Sequence, residues 1–239
     1  MISNQVLQSM AVKYQTTELN LRREYFQHLF LSTFYQQSKT DQIYFKGGTA
    51  LRLIFNSPRF SEDLDFSSGV QDIATIEEVI LSTLTAITRE NIDVDLSEAT
   101  VNSGGYLALI TFQADAELVS IKLELSLREG EKQGEAVLIA SEFMPAFLLV
   151  SLEKDLLIKE KIQALLSRKK PRDFFDLYFI LRANLLPPEE KRILAEVTEV
   201  LAGINLNFEK ELKEFLPRSH WAIIRDFPRP LEREIERFV

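Results

Sequence analysis

Residues Tyr44 to Ser67 read YFKGGTALRLIFNSPRFSEDLDFS, a Gly-Gly pair that opens a helical stretch and leads to an Asp-x-Asp pair on an apolar strand. Ile43, Tyr44 and Phe45 have the β-branched and aromatic character of a short strand, and Gly47-Gly48 lets the backbone turn and approach a ligand with no Cβ in the way. Thr49 is placed to cap the helix that continues through Ala50, Leu51, Leu53, Ile54 and Phe55, whose amides and positive dipole end suit a phosphate. In Asp63-Leu64-Asp65-Phe66 the side chains alternate, so Leu64 and Phe66 enter a core while both aspartates share the other face. Two such carboxylates repel unless a cation lies between them, and hard oxygen ligands on a rigid strand suit Mg²⁺ or Mn²⁺. Either feature alone is ordinary, a tight turn or a solvated strand face. Their order, with Arg59 and Ser61 just upstream of the carboxylates, is what makes the stretch specific.

A second cluster lies about a hundred residues on. Leu157, Ile158, Ile162, Leu165 and Leu166 form a helical apolar stripe, and Lys154, Lys161 and Arg168, seven apart, share another face. Pro171 fits the first turn of a new helix, in which Asp173 is favoured by the dipole and lies on one face with Asp176. Seven basic residues fall between Lys154 and Arg172 in a chain of net charge -8. One reading is a solvated face on which Arg172, Asp173 and Asp176 brace the helix pair through ion pairs; the other is an anion-binding site.

The strings GGTALRL and RFSEDLDF resemble those of the nucleotidyl transferase AbiEii/AbiGii toxin family, within the polymerase-beta-type nucleotidyltransferase superfamily. The family's second motif, of the type Glu-Lys-Ile-x-Ala-Leu-x-x-Arg and then Arg-Asp-x-x-Asp-Leu, is matched by Glu160, Lys161, Ile162, Ala164, Leu165, Arg168, Arg172, Asp173, Asp176 and Leu177. The resemblance implies a nucleoside triphosphate as substrate, with Gly47, Gly48 and Thr49 cradling its phosphates and Asp63 and Asp65 holding the metal. It implies a third carboxylate from a neighbouring strand. Glu124, on the polar face of Ser120 to Ser126, is the preferred candidate, and Asp95, in the alternating stretch Asn91 to Leu96, is the rival. Lys161 is implied as a functional cation near the triphosphate, positioned by Asp173 or Asp176, with Arg59, Ser61, Arg168 and Arg172 as further candidate contacts.

Composition narrows the function classes. With 46% hydrophobic residues over 239 positions, the chain can bury one sizeable core or two modest ones. No apolar run approaches the roughly 20 residues of a membrane span, MISNQVLQSM lacks the regions of a signal peptide, and cytoplasmic residence is expected. Zero cysteines exclude disulfides, zinc-thiolate sites and thiol catalysis, and His28 and His220 are too few for a histidine metal centre. The acidic balance argues against indiscriminate nucleic-acid binding while leaving room for a local basic surface.

Patterning predicts an α+β architecture. Helices open the chain, with one stripe on Val6, Leu7 and Met10 and a second on Leu21, Tyr25, Phe26, Leu29, Phe30 and Phe34. Strands near 43–46 and 63–67 bracket the glycine helix, and 73–90 is helical. Strands near 92–101 and 106–113 are joined by a hairpin at Asn102-Ser103-Gly104-Gly105, and 119–126 follows. Arg128 to Glu135 reads as a charged loop, 136–140 as a short strand, and helical patterns continue to the C-terminus. The expected organisation is a nucleotidyltransferase-like mixed sheet with N-terminal helices over 1–145 and a helical half over 146–239, with the active cleft between them.

The expected function is metal-dependent transfer of a nucleoside monophosphate from a triphosphate to an acceptor hydroxyl. Family resemblance further implies the toxin of a toxin–antitoxin or phage-defence system, acting on RNA such as the tRNA acceptor end, with a cognate antitoxin encoded nearby. Two alternatives are a protein or small-molecule acceptor, and a non-catalytic partner protein that retains the fold.

Overall fold

The computed structural model describes every residue except Met1, Ser103, Asp115, Ala116, Glu129, Glu131 and Val239. The expected Asn102–Gly105 turn and Arg128–Glu135 loop therefore fall partly outside the described residues. The chain divides into two compact units, Met1–Asn56 with Phe60–Glu153, and Ser57–Arg59 with Lys154–Val239.

The first unit is built on a seven-stranded mixed sheet in the order β3-β4-β5-β2-β1-β7-β6. Its strands are β1 (Ile43–Lys46), β2 (Leu64–Ser68), β3 (Val94–Asn102), β4 (Gly105–Ala114), β5 (Glu117–Ser126), β6 (Gly134–Ile139) and β7 (Phe147–Leu152). β2 runs parallel to β5 and antiparallel to β1, while β7 runs parallel to β1. Ile43, Phe45, Leu64, Phe66, Ile121, Leu123 and Leu125 all point into the core. That alternation sends Asp65, Lys122 and Glu124 to the opposite face.

Helices α1 (Asn4–Tyr14), α2 (Glu18–Phe34), α3 (Gly47–Phe55) and α4 (Ile73–Arg89) complete this unit. Ser3, Thr17 and Asp72 cap α1, α2 and α4 by accepting from amides in the first turn. α2 carries more than an apolar stripe, because Glu24, Gln27, His28 and Thr33 are buried as well. Glu24 forms a bidentate pair with Arg52 of α3 at 2.8 and 3.0 Å, and the Arg52 guanidinium lies 3.5 Å from the Phe60 ring centroid. This pins α3 to α2.

The structure departs from two expectations. The helical pattern does not take over directly after β6, because Phe147–Leu152 forms β7, bonded to β6 along its length and to β1 through Phe45 and Ser151. A short continuous apolar run such as FLLVSL is equally compatible with a buried strand and a buried helix, so periodicity alone does not decide it. Thr49 does not cap α3. The helix starts at Gly47, and the Thr49 hydroxyl donates to the Asp63 carbonyl at 2.5 Å.

The second unit contains α5 (Lys154–Arg168), α6 (Pro171–Arg182), α7 (Ile193–Ala202), α8 (Phe208–Leu212), α9 (Trp221–Ile224) and α10 (Pro228–Glu236). Pro171 opens α6 as its spacing predicts. Phe174, Phe175, Tyr178, Phe208 and Phe227 form a connected aromatic core with ring centroids 5.0 to 5.8 Å apart. None of the described helices is long and apolar enough to cross a membrane.

Candidate active site

β1 runs into the Gly-Gly pair, and β2 lies antiparallel to it with Asp65 opposite Lys46. Gly47 adopts φ +86°, and a Cβ there would lie 2.7 Å from the Asp65 Cβ and closer still to its carboxylate. Glycine at 47 thus satisfies two demands, the left-handed backbone and the space that Asp65 fills. Gly48 and Thr49 are buried in the first turn of α3. Through Thr49, the start of this helix is tied to the backbone of Asp63. Ser61 lies in the approach to β2, its carbonyl held by Gln27 at 2.9 Å.

The parallel pairing of β2 with β5 brings the third carboxylate alongside. Asp65 is the register partner of Glu124, one row beyond the Leu64 and Leu123 pair. Asp95 stands on edge strand β3 opposite Thr111, with β4 between it and β5. Sequence reasoning passed over one group at this locus. Lys122 Nζ lies 2.5 Å from Glu124 Oε1 and 3.7 Å from Asp63 Oδ2. Partial burial lowers the tendency of Lys122 to hold its proton, but Glu124, Asp63 and Asp65 outweigh this and raise its pKa. The signal was present in the strand alternation, which puts Lys122 and Glu124 on one face.

Among the described residues no three carboxylate or imidazole groups converge closely enough to hold a metal unaided. The donor chemistry nevertheless fits Mg²⁺ or Mn²⁺, which commonly bind one or two carboxylates and complete their shell with water and substrate phosphates. The Lys122 ammonium occupies the locus as a cation would, between Asp63 and Glu124. Asp63, Asp65 and Glu124 are the residues that would hold the ion.

The remaining candidates meet in the second unit. Asp176 on α6 is buried, with its Oδ1 2.7 Å from Arg59 Nε and its Oδ2 2.8 Å from an Arg59 terminal nitrogen. Lys161 Nζ on α5 donates to the same Oδ2 at 3.0 Å. Burial alone would push the Asp176 carboxyl up, but Arg59 and Lys161 override it and hold the pKa at about 2. Arg59 is itself buried, and Asp176 raises its pKa against that burial. Asp173 pairs instead with Arg168, at 2.8 Å, while Arg172 lies 3.8 Å from Glu211 of α8. Of the two aspartates that the sequence left open, Asp176 is the one bonded to Lys161. Nothing in the local sequence pointed to Glu211.

Residues 29–237 match the family model described as nucleotidyl transferase AbiEii toxin, type IV toxin–antitoxin system. No curated protein matches the chain. Among solved structures, the crystal structure of JHP933 from Helicobacter pylori is similar with a TM-score of 0.67 and 19% identity, covering 93% of each chain. A second H. pylori crystal structure, described as that of a candidate nucleotidyltransferase, is similar with a TM-score of 0.63 and 20% identity, covering 93% of this chain and 99% of the other.

Proposed function

Because the chain belongs to the nucleotidyl transferase AbiEii toxin family, we propose that it transfers a nucleoside monophosphate from a nucleoside triphosphate to a hydroxyl of RNA, the acceptor end of tRNA being the favoured target. The observation that carries this reading is that Asp65, the register partner of Glu124, fills the space beside Gly47, with the Lys122 ammonium between Glu124 and Asp63. A scaffold protein has no physical need for a strand carboxylate that fills the space beside a glycine and lies in register with a second carboxylate.

In the reaction, the acceptor oxygen bonds to the α-phosphorus, the bond from that phosphorus to pyrophosphate breaks, and the hydroxyl proton leaves to solvent. A divalent cation held by Asp63, Asp65 and Glu124 would supply Lewis-acid stabilisation of phosphoryl charge. Gly47 and Gly48 allow the backbone of the α3 N-terminus to approach phosphate oxygens. The family resemblance implies Lys161 as the cation that neutralises the leaving pyrophosphate, and such charge stabilisation is the main contribution a protein makes to phosphoryl transfer. Arg168 and Arg172 add positive charge to the same helix pair. This chemistry uses cytoplasmic substrates, and the family's role in toxin–antitoxin systems implies a cognate antitoxin.

The test is incubation of purified protein with Mg²⁺, each α-phosphate-radiolabelled nucleoside triphosphate, and total RNA plus protein, followed by denaturing gels. Label on a tRNA-sized band that disappears with Asp65→Asn supports the proposal and identifies the nucleotide. Label on protein, or on a small molecule, moves the assignment to another acceptor, and the absence of any label while nucleotide binds removes the catalytic reading.

A further inference from the structure

Arg59 is the unexpected member of the second cluster. A guanidinium four residues upstream of Asp63 would be expected to reach for phosphate, yet its side chain is 4% exposed and grips both oxygens of Asp176. We propose that Arg59 is a positioning residue that fixes the ammonium of Lys161 through Asp176. The inference rests on the transferase reading for its catalytic consequence, and on contacts within the second unit alone for its geometry.

Two effects combine. A planar guanidinium bound in a fork to a carboxylate fixes that carboxylate in position and plane. Asp176 then presents Oδ2 to Lys161 in a defined place, which a flexible four-carbon lysine chain cannot secure by itself. The second effect is electrostatic. Arg59 and Asp176 already cancel, so the three-residue cluster retains the full positive charge of Lys161. With Arg59 absent, Lys161 and Asp176 would form a neutral pair that no longer offers a net charge to the negative charge developing on the leaving pyrophosphate, a loss felt in kcat rather than in ground-state binding. The charged groups acting on Asp176 are Arg59 and Lys161, and Asp173 and Glu211 add negative potential at Arg59. Without Arg59, burial would oppose ionisation of Asp176 with only Lys161 to counter it.

Two readouts test the proposal in Arg59→Gln and Arg59→Lys. In ¹⁵N-lysine NMR of the full chain, with the Lys161 ammonium signal assigned by its loss in Lys161→Arg, the wild type should show a slowly exchanging Lys161 resonance. Arg59→Gln should lose it and Arg59→Lys should partly restore it. In the transfer assay, Arg59→Gln should lower kcat by about 100-fold with KM for the triphosphate within about threefold of wild type. The acid limb of its pH profile should move upward. A Lys161 resonance unchanged by Arg59→Gln overturns the proposal. So does a raised KM with unchanged kcat, which would make Arg59 a direct phosphate contact. If wild-type protein transfers nothing, the transferase reading fails while the NMR arm still decides the positioning. If Arg59→Gln does not fold, Arg59→Lys carries the same comparison.

Discussion

Asp65 and Glu124 are register partners on the parallel strands β2 and β5, and the Lys122 ammonium beside them lies within 2.5 Å of Glu124. The same ammonium lies 3.7 Å from Asp63, so a lysine from the strand of Glu124 stands between two carboxylates of the candidate site. Lys122 therefore offsets the charge of these carboxylates and, on the proposed reading, would compete with a divalent ion.

Lys122→Met should accordingly bind Mn²⁺ more tightly than wild type. Removing one charge about 4 Å from the ion corresponds to roughly 1 kcal/mol even with the full screening of water, so the gain should be at least about fivefold in affinity. Asp65→Asn should weaken binding by at least as much. Isothermal titration calorimetry with Mn²⁺ measures both, and equal affinities for Lys122→Met and wild type would show that the ammonium does not occupy the ion's place.

Gly47→Ala should abolish nucleotidyl transfer while leaving a folded protein. A Cβ at φ +86° costs about 1 to 2 kcal/mol for an L-residue. The larger effect is displacement of Asp65, whose carboxylate occupies the space that the methyl group would take. The transfer assay beside a urea unfolding curve tests this. Full activity in the variant would mean that Asp65 tolerates displacement and that the close approach is incidental.

Local patterns in the sequence carried much of this architecture. The alternation of Ile121, Leu123 and Leu125 with Lys122 and Glu124 gave strand β5 and its polar face, and Pro171 marked the start of α6. β7 was not legible, because the run from Phe147 to Leu152 has no period of its own and acquires strand identity from pairing with β6 and β1. The Arg59 to Asp176 bond spans 117 positions, and no local rule pairs residues at that distance. Thr49 has the chemistry of a cap, but its hydroxyl found the Asp63 carbonyl, a partner set by the tertiary fold.

The pairing of Arg168 with Asp173 is asymmetric, with Arg168 about half exposed and the Asp173 side chain 1% exposed. Truncating the arginine strands a buried carboxylate, while truncating both removes the demand. Arg168→Ala should therefore destabilise the protein by about 3 kcal/mol, the lower end for breaking a buried pair from one side. The double variant Arg168→Ala/Asp173→Leu should recover much of that loss. Urea unfolding of the two variants measures the difference, and equal stability would place Asp173 in contact with another cation or with water.

His28 makes stability depend on mildly acidic pH. The ring sits on α2 with edge contacts to Phe143 and Phe147, at centroid distances of 5.3 and 5.8 Å. Burial, assisted by Arg52, lowers its pKa from 6.5 to about 4. Between those values the unfolded chain takes up a proton that the folded chain refuses. Stability contributed by the neutral ring is thus complete above pH 6.5 and is lost as pH falls toward 4, by roughly 3 kcal/mol over the whole interval. Other carboxylates titrate in the same range, so the informative quantity is the difference between wild type and His28→Leu. Urea unfolding at pH 7.5, 6.0 and 5.0 should show the gap between the two narrowing or reversing in favour of the variant as pH falls. A gap independent of pH would mean that the imidazole protonates in the folded state as readily as in the unfolded one, and the apolar packing around it would then have to admit water.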